Sequence, residues 1–314
     1  MNRLHLMLGV LGLMGATLLT AQAGASSPDW KLAVQAWTFN NTTLIDTAEK
    51  ASALGIKYIE AYPGQALGGG LAGNIGPDMD ASAKAGMLAK LKALDIRLVN
   101  FGVTGAGNEA GWRKLFEFAK SVGIETICSE PDEKQFALLD TLCDQYKINI
   151  AIHNHPKPSH YWNPDTVLAA CKGHSRRIGA CADTGHWVRS GLDPVECLQK
   201  LQGRIISLHF KDLNVKGPEG HDVPWGTGIS KATAMFAELK HQHFRGVFSI
   251  EYEHKTPQLL ENVQKCAAFF TMAAGMSEKD LLAGKLVQPG FSPQPEDVWK
   301  DVKIRPDNKW PQIP

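Results

Sequence analysis

Apolar and polar residues follow a repeating order along most of the chain. Short apolar runs that end in polar groups, a pattern typical of buried strands, alternate with longer segments that carry apolar residues at helical spacing. The predicted strands are Leu32–Phe39, Tyr58–Ala61, Arg97–Val103, Glu125–Glu130, Ile148–His155, Ile178–Asp183, Ile205–Phe210 and Val247–Glu251. The predicted helices are Leu44–Leu54, Ala83–Leu94, Gly111–Val122, Glu133–Tyr146, Pro164–Cys171, Pro194–Leu201, Ser230–His241 and Pro257–Ala274.

Eight strand and helix units in succession predict an α/β fold. Strands joined by helix-length links pair in parallel, and eight such units match a (β/α)8 TIM barrel over residues 28–276. An open doubly wound sheet is the main alternative, but no GxGxxG follows the first strand, which counts against a dinucleotide fold. The glycines around Gly68–Gly70 lie after the second strand and predict a flexible loop or lid at the edge of a site.

Both ends of the chain differ from this pattern. Arg3 and His5 precede the apolar run Leu6–Leu19, and Ala21–Ala23 has the small-x-small pattern of a cleavage site. Residues 1–23 therefore predict a signal peptide and an exported, periplasmic protein. An uncleaved anchor is the alternative, although the run is shorter than the roughly 20 residues of a membrane-spanning helix. Residues 277–314 are rich in proline and predict an extended C-terminal extension without a catalytic role.

The composition of the chain restricts the classes of partner and the state of the cysteines that we expect. A formal net charge of +1 gives no reason to expect nucleic acid or an anionic membrane as a partner, so a small-molecule ligand fits better. The six cysteines show no CxxC spacing, and buried free thiols are the simplest interpretation. Cys128 and Cys181 fall on the inward face of alternate strands, where they would be neighbours.

Polar side chains at the ends of the predicted strands are the candidates for chemistry. Active sites of β/α barrels are built at this end, and only alternate residues of a strand point inward. A histidine or aspartate taken alone is more often structural, but buried carboxylates on several strands need a cation or an equivalent partner. The candidate side chains are Glu130, His153, His155, Asp183, His186, His209, Lys211, Glu251 and Glu253.

Four motifs resemble the xylose-isomerase-like TIM barrel superfamily over residues 31–275. They are Asp183-Thr-Gly-His186, His209-x-Lys-Asp212, the loop from Val223 to Gly228, and Ser249-Ile-Glu251. The superfamily includes sugar isomerases and epimerases, dehydratases and endonuclease IV. The resemblance implies one divalent metal ion that is held by Asp183, His209 and Glu251, with His186 beside it.

The fourth ligand departs from the family pattern. Members usually supply a glutamate from the fifth strand, where this chain has His153-Asn-His155, while its fourth strand ends in Glu130. We predict Glu130 as the fourth ligand, and His153 is the open alternative because imidazole also binds such metals. Mixed oxygen and nitrogen ligands suit Mn²⁺, Co²⁺ or Zn²⁺.

A cation beside acid and base groups suggests proton abstraction next to a sugar carbonyl. His153, His155 and His186 are predicted proton carriers, Glu253 is a further one, and Lys211 is a predicted donor to the developing oxyanion. The outcome stays open between isomerisation or epimerisation of a sugar or keto-sugar and lyase chemistry on a 3-keto-glycoside. Export favours free or oxidised glycosides over sugar phosphates as substrates.

Aromatic residues near the predicted mouth favour a sugar ligand, since a ring packs against the C–H face of a pyranose. These residues are Trp37, Phe39, Tyr62, Phe101, Tyr161, Trp162, Trp187 and Trp225. Two other classes remain as alternatives, a non-catalytic sugar-binding barrel and an endonuclease-IV-like phosphodiesterase. The phosphodiesterase is disfavoured by the predicted export and by the near-neutral charge. Of His221 and Asp222 in the loop after the seventh strand, only Asp222 falls near a position that binds an extra metal in that enzyme.

Overall fold

The computed structural model describes residues 29–286, which form a closed barrel of eight parallel strands with helices between them. The barrel strands are β1 (Trp30–Gln35), β2 (Tyr58–Ala61), β3 (Arg97–Phe101), β4 (Thr126–Ser129), β5 (Asn149–His153), β6 (Ile178–Asp183), β7 (Ile205–Phe210) and β8 (Gly246–Ile250). Each strand pairs with the next in this order, and β8 closes the barrel against β1. The predicted (β/α)8 fold is therefore confirmed.

Helices follow the strands in sequence order. They are α1 (Leu44–Ala53), α2 (Ala81–Ala93), α3 (Glu109–Val122), α4 (Phe136–Tyr146), α5 (Pro164–Ala170), α6 (Thr184–Arg189), α7 (Pro194–Lys200), α8 (Ala232–His241), α9 (Leu259–Gly275) and α10 (Glu278–Leu282). Seven of these ten helices begin with a side-chain cap. Thr43 and Asp46 form a reciprocal capping box at α1, and the Asn108 side chain accepts a hydrogen bond from Gly111 N at α3.

The first strand ends earlier than predicted, and a helix that was not predicted follows the sixth strand, because side chains cap a turn at each point. The first strand ends at Gln35 rather than at Phe39, since Gln35 Oε1 accepts a hydrogen bond from Trp37 N and starts the 3-10 turn Ala36–Phe39. The short helix α6 follows β6 directly, because Asp183 Oδ1 accepts a hydrogen bond from His186 N. Both turns begin at the end of the barrel where the candidate residues lie.

The glycine-rich segment is an ordered hairpin rather than the flexible loop that we predicted. Ala66–Gly68 pairs antiparallel with Leu71–Asn74. Gly69 and Gly70 form the turn with φ of +58° and +81°, in the left-handed region that favours glycine. A Cβ atom on Gly68 would lie 2.0 Å from Thr43 Oγ1, so the hairpin packs closely on the start of α1.

Inward-facing side chains fill the barrel below the candidate site. Cys128, Ala151 and Cys181 form a small buried cluster, and the two cysteines are neighbours as predicted. All six cysteines are free and buried. The predicted functional residues lie above this layer, at the carboxyl ends of the strands.

The predicted C-terminal extension begins with a helix instead of extended chain. Ser277 caps α10, and Leu281 is buried. The first proline of the extension is Pro289, beyond the described residues, so no proline opposes this helix. The predicted signal peptide and the rest of the extension also lie outside the described residues. Between residues 29 and 286, none of the helices has the length and apolar character needed to cross a bilayer.

Candidate metal and active site

Four buried side chains converge at the carboxyl ends of β5 to β8. One potential ligand atom from each of His153, Asp183, His209 and Glu251 lies within 4.8 Å of the others. His153 Nε2 is 3.6 Å from Asp183 Oδ2, and His209 Nδ1 is 3.1 Å from Glu251 Oε2. The two imidazole nitrogens and the two carboxylates form one compact donor set.

Glu130 lies outside this group and contacts two imidazoles at the edge of the site. Its Oε1 lies 3.2 Å from His153 Nδ1, makes a short hydrogen bond with His155 Nδ1, and accepts a bond from the His155 backbone. Burial by itself would raise the pKa of Glu130, but its hydrogen bonds with His153 and His155 hold it well below the usual value. The carboxylate is therefore the acceptor, and each imidazole donates to it through Nδ1–H.

Glu60 orients His209 in the same way from the opposite side of the barrel. Glu60 Oε1 is 2.8 Å from His209 Nε2, and Oε2 accepts hydrogen bonds from Ser249 Oγ at 2.6 Å and Asn100 Nδ2 at 3.2 Å. Burial opposes ionisation of Glu60, but His209 and Ser249 together hold its pKa below the usual value. His209 thus donates through Nε2 and directs Nδ1 toward Asp183 and Glu251.

Lys211 shares the carboxylates of the group. Its Nζ lies 2.7 Å from Asp183 Oδ2, 2.6 Å from Glu251 Oε2 and 3.0 Å from Glu253 Oε2. Burial would lower the pKa of Lys211, but these three carboxylates raise it well above the usual value. The side chain is therefore a permanent cation and a hydrogen-bond donor, and a metal ion would compete with it for the same oxygens.

His186 is held as a neutral donor by Arg189. Arg189 Nη1 donates to His186 Nδ1 at 3.1 Å, because a guanidinium cannot accept, so the imidazole hydrogen stands on Nε2, 3.4 Å from Asp183 Oδ2. Burial, together with the positive charges of Lys211 and Arg189, keeps the pKa of His186 well below its usual value. Arg189 is fixed by Asp222 at 3.1 Å and Glu253 at 2.7 Å. Asp222, which falls near an extra-metal position of endonuclease IV, is thus buried as an ion-pair partner.

A cavity of about 230 Å³ opens over the four-residue group. Its polar side is formed by His153, His155, His186, Glu251 and Glu253, and its other side by Gln35, Trp37, Tyr62, Pro63, Gly102 and Val103. Trp37 and Tyr62 contact edge to face with ring centroids 5.1 Å apart. The other predicted aromatic residues do not line this cavity, and Phe101, Trp187 and Trp225 are buried in the core.

All of the predicted site residues lie in one region of the structure, but they do not all belong to one group of possible ligands. His153, Asp183, His209 and Glu251 form the central group, while Glu130 and His155 form a pair at its edge. Glu60 was missed by the sequence reasoning, which considered only strands four to eight. A lone glutamate in the apolar strand β2 was the available signal, because a buried carboxylate needs a partner.

Two buried imidazole nitrogens indicate that the four side chains can hold a divalent cation. His153 Nε2 and His209 Nδ1 are buried and make no hydrogen bond, although both are polar. Buried polar atoms are nearly always satisfied, and these two face the same pair of carboxylates. Two nitrogens and two carboxylates suit a borderline metal ion such as Mn²⁺, Co²⁺ or Zn²⁺.

Comparisons with known proteins agree with this architecture. The sequence profile of the family described as xylose isomerase-like TIM barrel matches residues 48–271. An uncharacterized protein from Parabacteroides distasonis is 37% identical, with a TM-score of 0.65, and the match covers 78% of this chain and 99% of that one. No curated protein matches the chain in sequence.

Two more distant solved structures show the same fold. A xylose isomerase-like TIM barrel protein from Mycobacterium smegmatis, in complex with magnesium, is 14% identical with a TM-score of 0.64, and the match covers 80% of this chain and 98% of that one. A D-tagatose 3-epimerase-like protein is 16% identical with a TM-score of 0.62, over 77% and 98% of the two chains.

Proposed function

Because the chain belongs to the xylose isomerase-like TIM barrel family, we propose that it is a metal-dependent enzyme that isomerises or epimerises a sugar or keto-sugar. The observation that carries the proposal is the pair of unpartnered, buried imidazole nitrogens that face two carboxylates under an open cavity. The magnesium complex and the epimerase-like protein of the same fold support it. Export to the periplasm is part of the proposal and rests on the sequence of residues 1–23.

The metal ligands in this proposal are His153, Asp183, His209 and Glu251. The choice of His153 over Glu130 follows from their contacts, since Glu130 is engaged by imidazole hydrogens whereas His153 Nε2 faces Asp183. When bound, the cation would polarise a substrate carbonyl and a neighbouring hydroxyl, and so acidify the adjacent C–H group. Glu130 and Glu60 would hold the two imidazole ligands in the required tautomers.

The proton acceptor in this proposal is His155. Glu130 accepts its Nδ1–H, so Nε2 carries a lone pair, and the side chain lines the cavity. As Nε2 takes the substrate proton, the carboxylate stabilises the resulting imidazolium. Glu253, the alternative base, is engaged by both Lys211 and Arg189.

One donor and one nearby positive charge are available for the negative charge that develops on the substrate oxygens. His186 lines the cavity and supplies a neutral Nε2–H that Arg189 holds in place, and the Lys211 ammonium lies behind Glu251 and Glu253. Preorganised donors of this kind stabilise an enediolate more than they stabilise the starting ketone. Return of the proton from His155 to the neighbouring carbon, with transfer of the hydroxyl proton to the former carbonyl oxygen, completes an isomerisation.

Lyase chemistry on a 3-keto-glycoside is the second candidate, and the single His155–Glu130 pair favours it. An epimerase that works on both faces of a carbon needs a second proton carrier, and Glu253 is already paired with two cations. Elimination needs only one base, because the His155 imidazolium can return its proton to the departing oxygen. Both outcomes share the same first step.

Proton exchange tests that first step. The purified protein with Mn²⁺ in deuterated water is scanned by NMR against ketoses and 3-keto-glycosides, and we expect deuterium at a carbon next to the carbonyl. Glu251→Gln should lower the metal content and abolish exchange, whereas His155→Gln should retain the metal and lose exchange. Full metal occupancy and turnover in Glu251→Gln would overturn the ligand assignment. Exchange at the normal rate in His155→Gln would overturn the choice of base.

A further inference from the structure

The residues that line the cavity indicate whether the substrate carries a charge. This inference rests on the proposed function. We infer that the substrate is an uncharged, unphosphorylated sugar that binds through the cation, hydrogen bonds and contact with an aromatic wall. Four observations on the cavity carry this inference: its charged residues, its backbone donors, its net charge and its apolar side.

None of the described residues that line the cavity is a lysine or arginine. The acidic side chains on its surface are those of Glu251 and Glu253. Lys211 and Arg189 lie against these carboxylates, and each contacts Glu253 together with a further acidic residue. A phosphate is usually bound by arginine, by lysine or by backbone N–H groups at a helix start, and the first two are already paired here.

Both turns that start at the site have side-chain caps. Asp183 Oδ1 accepts the hydrogen bond from His186 N at the start of α6. Gln35 Oε1 accepts the one from Trp37 N at the start of the 3-10 turn, and Gln35 Nε2 donates to Gly102 O. These caps occupy backbone donors that would otherwise attract an anion, and Asp183 adds a negative charge beside them.

The charge around the cation is negative. The residues that enter this balance are the carboxylates of Glu60, Glu130, Asp183, Glu251 and Glu253 and the ammonium of Lys211. A bound divalent ion and Lys211 neutralise three of the five negative charges, and the Arg189–Asp222 pair adds none. A phosphate or carboxylate on the substrate would meet two uncompensated negative charges, which repel it.

The side of the cavity opposite the cation is apolar. Trp37, Tyr62, Pro63 and Val103 form it, and the Trp37 and Tyr62 rings stand nearly perpendicular at 85°. Burial raises the pKa of Tyr62, so this ring is neutral. Such a wall suits the C–H face of an uncharged sugar and offers nothing to a phosphate.

Matched pairs of compounds test the inference. Exchange in deuterated water and binding by calorimetry are measured for the Mn²⁺-loaded protein with D-fructose and D-fructose 6-phosphate, and with other ketoses and their phosphates. We expect the neutral member of each pair to bind at least about tenfold more tightly and to exchange faster. Equal or tighter binding of the phosphates overturns the inference. If the phosphates also exchange, the proposed function is supported but the inference about substrate charge is not. Absence of exchange with every compound, despite binding of the neutral ones, contradicts the proposed function alone.

A charge-introducing variant gives a second measurement. Pro63 is exposed at the cavity wall, so Pro63→Lys places an ammonium there at little risk to folding, and Pro63→Met has similar length without charge. We expect Pro63→Lys to shift the ratio of neutral to phosphorylated binding toward the phosphate by about tenfold, and Pro63→Met to leave it unchanged. The same ratio in both variants would show that charge in the cavity does not select the substrate.

Discussion

Glu60→Gln is the most direct test of the proposal that the barrel orients His209 to bind a metal. Glu60 accepts from His209 Nε2 through one oxygen and from Ser249 and Asn100 through the other. Glutamine has the same shape but one acceptor oxygen, so its NH2 group must face a donor on one side. If the NH2 group faces His209, the imidazole hydrogen moves to Nδ1, which is the atom that points at Glu251.

The size of the effect follows from these contacts. Loss of a carboxylate that orients a metal-binding histidine typically weakens metal affinity 10- to 100-fold, or about 1.4–2.7 kcal/mol. The buried donor left without an acceptor would also lower the free energy of unfolding by roughly 1–3 kcal/mol. Both the metal affinity and the free energy of unfolding would fall because of a change at Glu60, which would not itself contact the bound cation.

Calorimetric titration with Mn²⁺ measures the affinity, and thermal unfolding in EDTA measures the stability. Glu49→Gln, an exposed change on α1, is the matched control and should alter neither. An Mn²⁺ affinity of Glu60→Gln within twofold of the unchanged protein would refute the reasoning, because the tautomer of His209 would then not depend on Glu60.

Three further predictions concern the same layers of the barrel. Burial lowers the pKa of His153, but the carboxylates of Asp183 and Glu130 beside it raise the pKa to about 9, so His153 is protonated at pH 7 without metal. Mn²⁺ binding should therefore release about one proton from His153, and the affinity should rise as the pH rises toward 9. Calorimetry in buffers of different ionisation enthalpy measures this release. Binding without proton release would contradict the prediction. Lys211→Met should cost about 3–5 kcal/mol in EDTA by leaving buried carboxylates unpaired, and Mn²⁺ should restore more stability than in the unchanged protein. Ellman's reagent should find six thiols only after unfolding; fewer would reveal a disulfide.

The sequence predicted the barrel well because its signals are local. Eight apolar runs separated by helical segments specify parallel strands, and the strand ends identify the candidate residues without knowledge of the packing. The strands Tyr58–Ala61, Ile178–Asp183 and Ile205–Phe210 have the bounds that their apolar runs predicted. The hairpin around Gly68 was not predicted, because it is held by contact with Thr43, more than twenty residues earlier.

The fourth ligand position could not be read from the chain. Glu130 and His153 both follow apolar strands, and pairing of Ser129 with Ile152 places them side by side. Because adjacent strand ends lie at the same height, two neighbouring side chains compete for one position, and only their contacts distinguish them. Glu130 lies toward His155 and Ser159, and His153 directs Nε2 toward Asp183.

The sequence by itself determined the fold class, the strand ends and the kinds of side chain that meet there. Only the tertiary structure decided which of them touch. Glu60 and His209 are 149 residues apart and lie on strands that are not neighbours, so only closure of the barrel brings them to 2.8 Å. Hydrophobic periodicity is a property of each segment, whereas the direction of an imidazole lone pair depends on side chains from across the barrel.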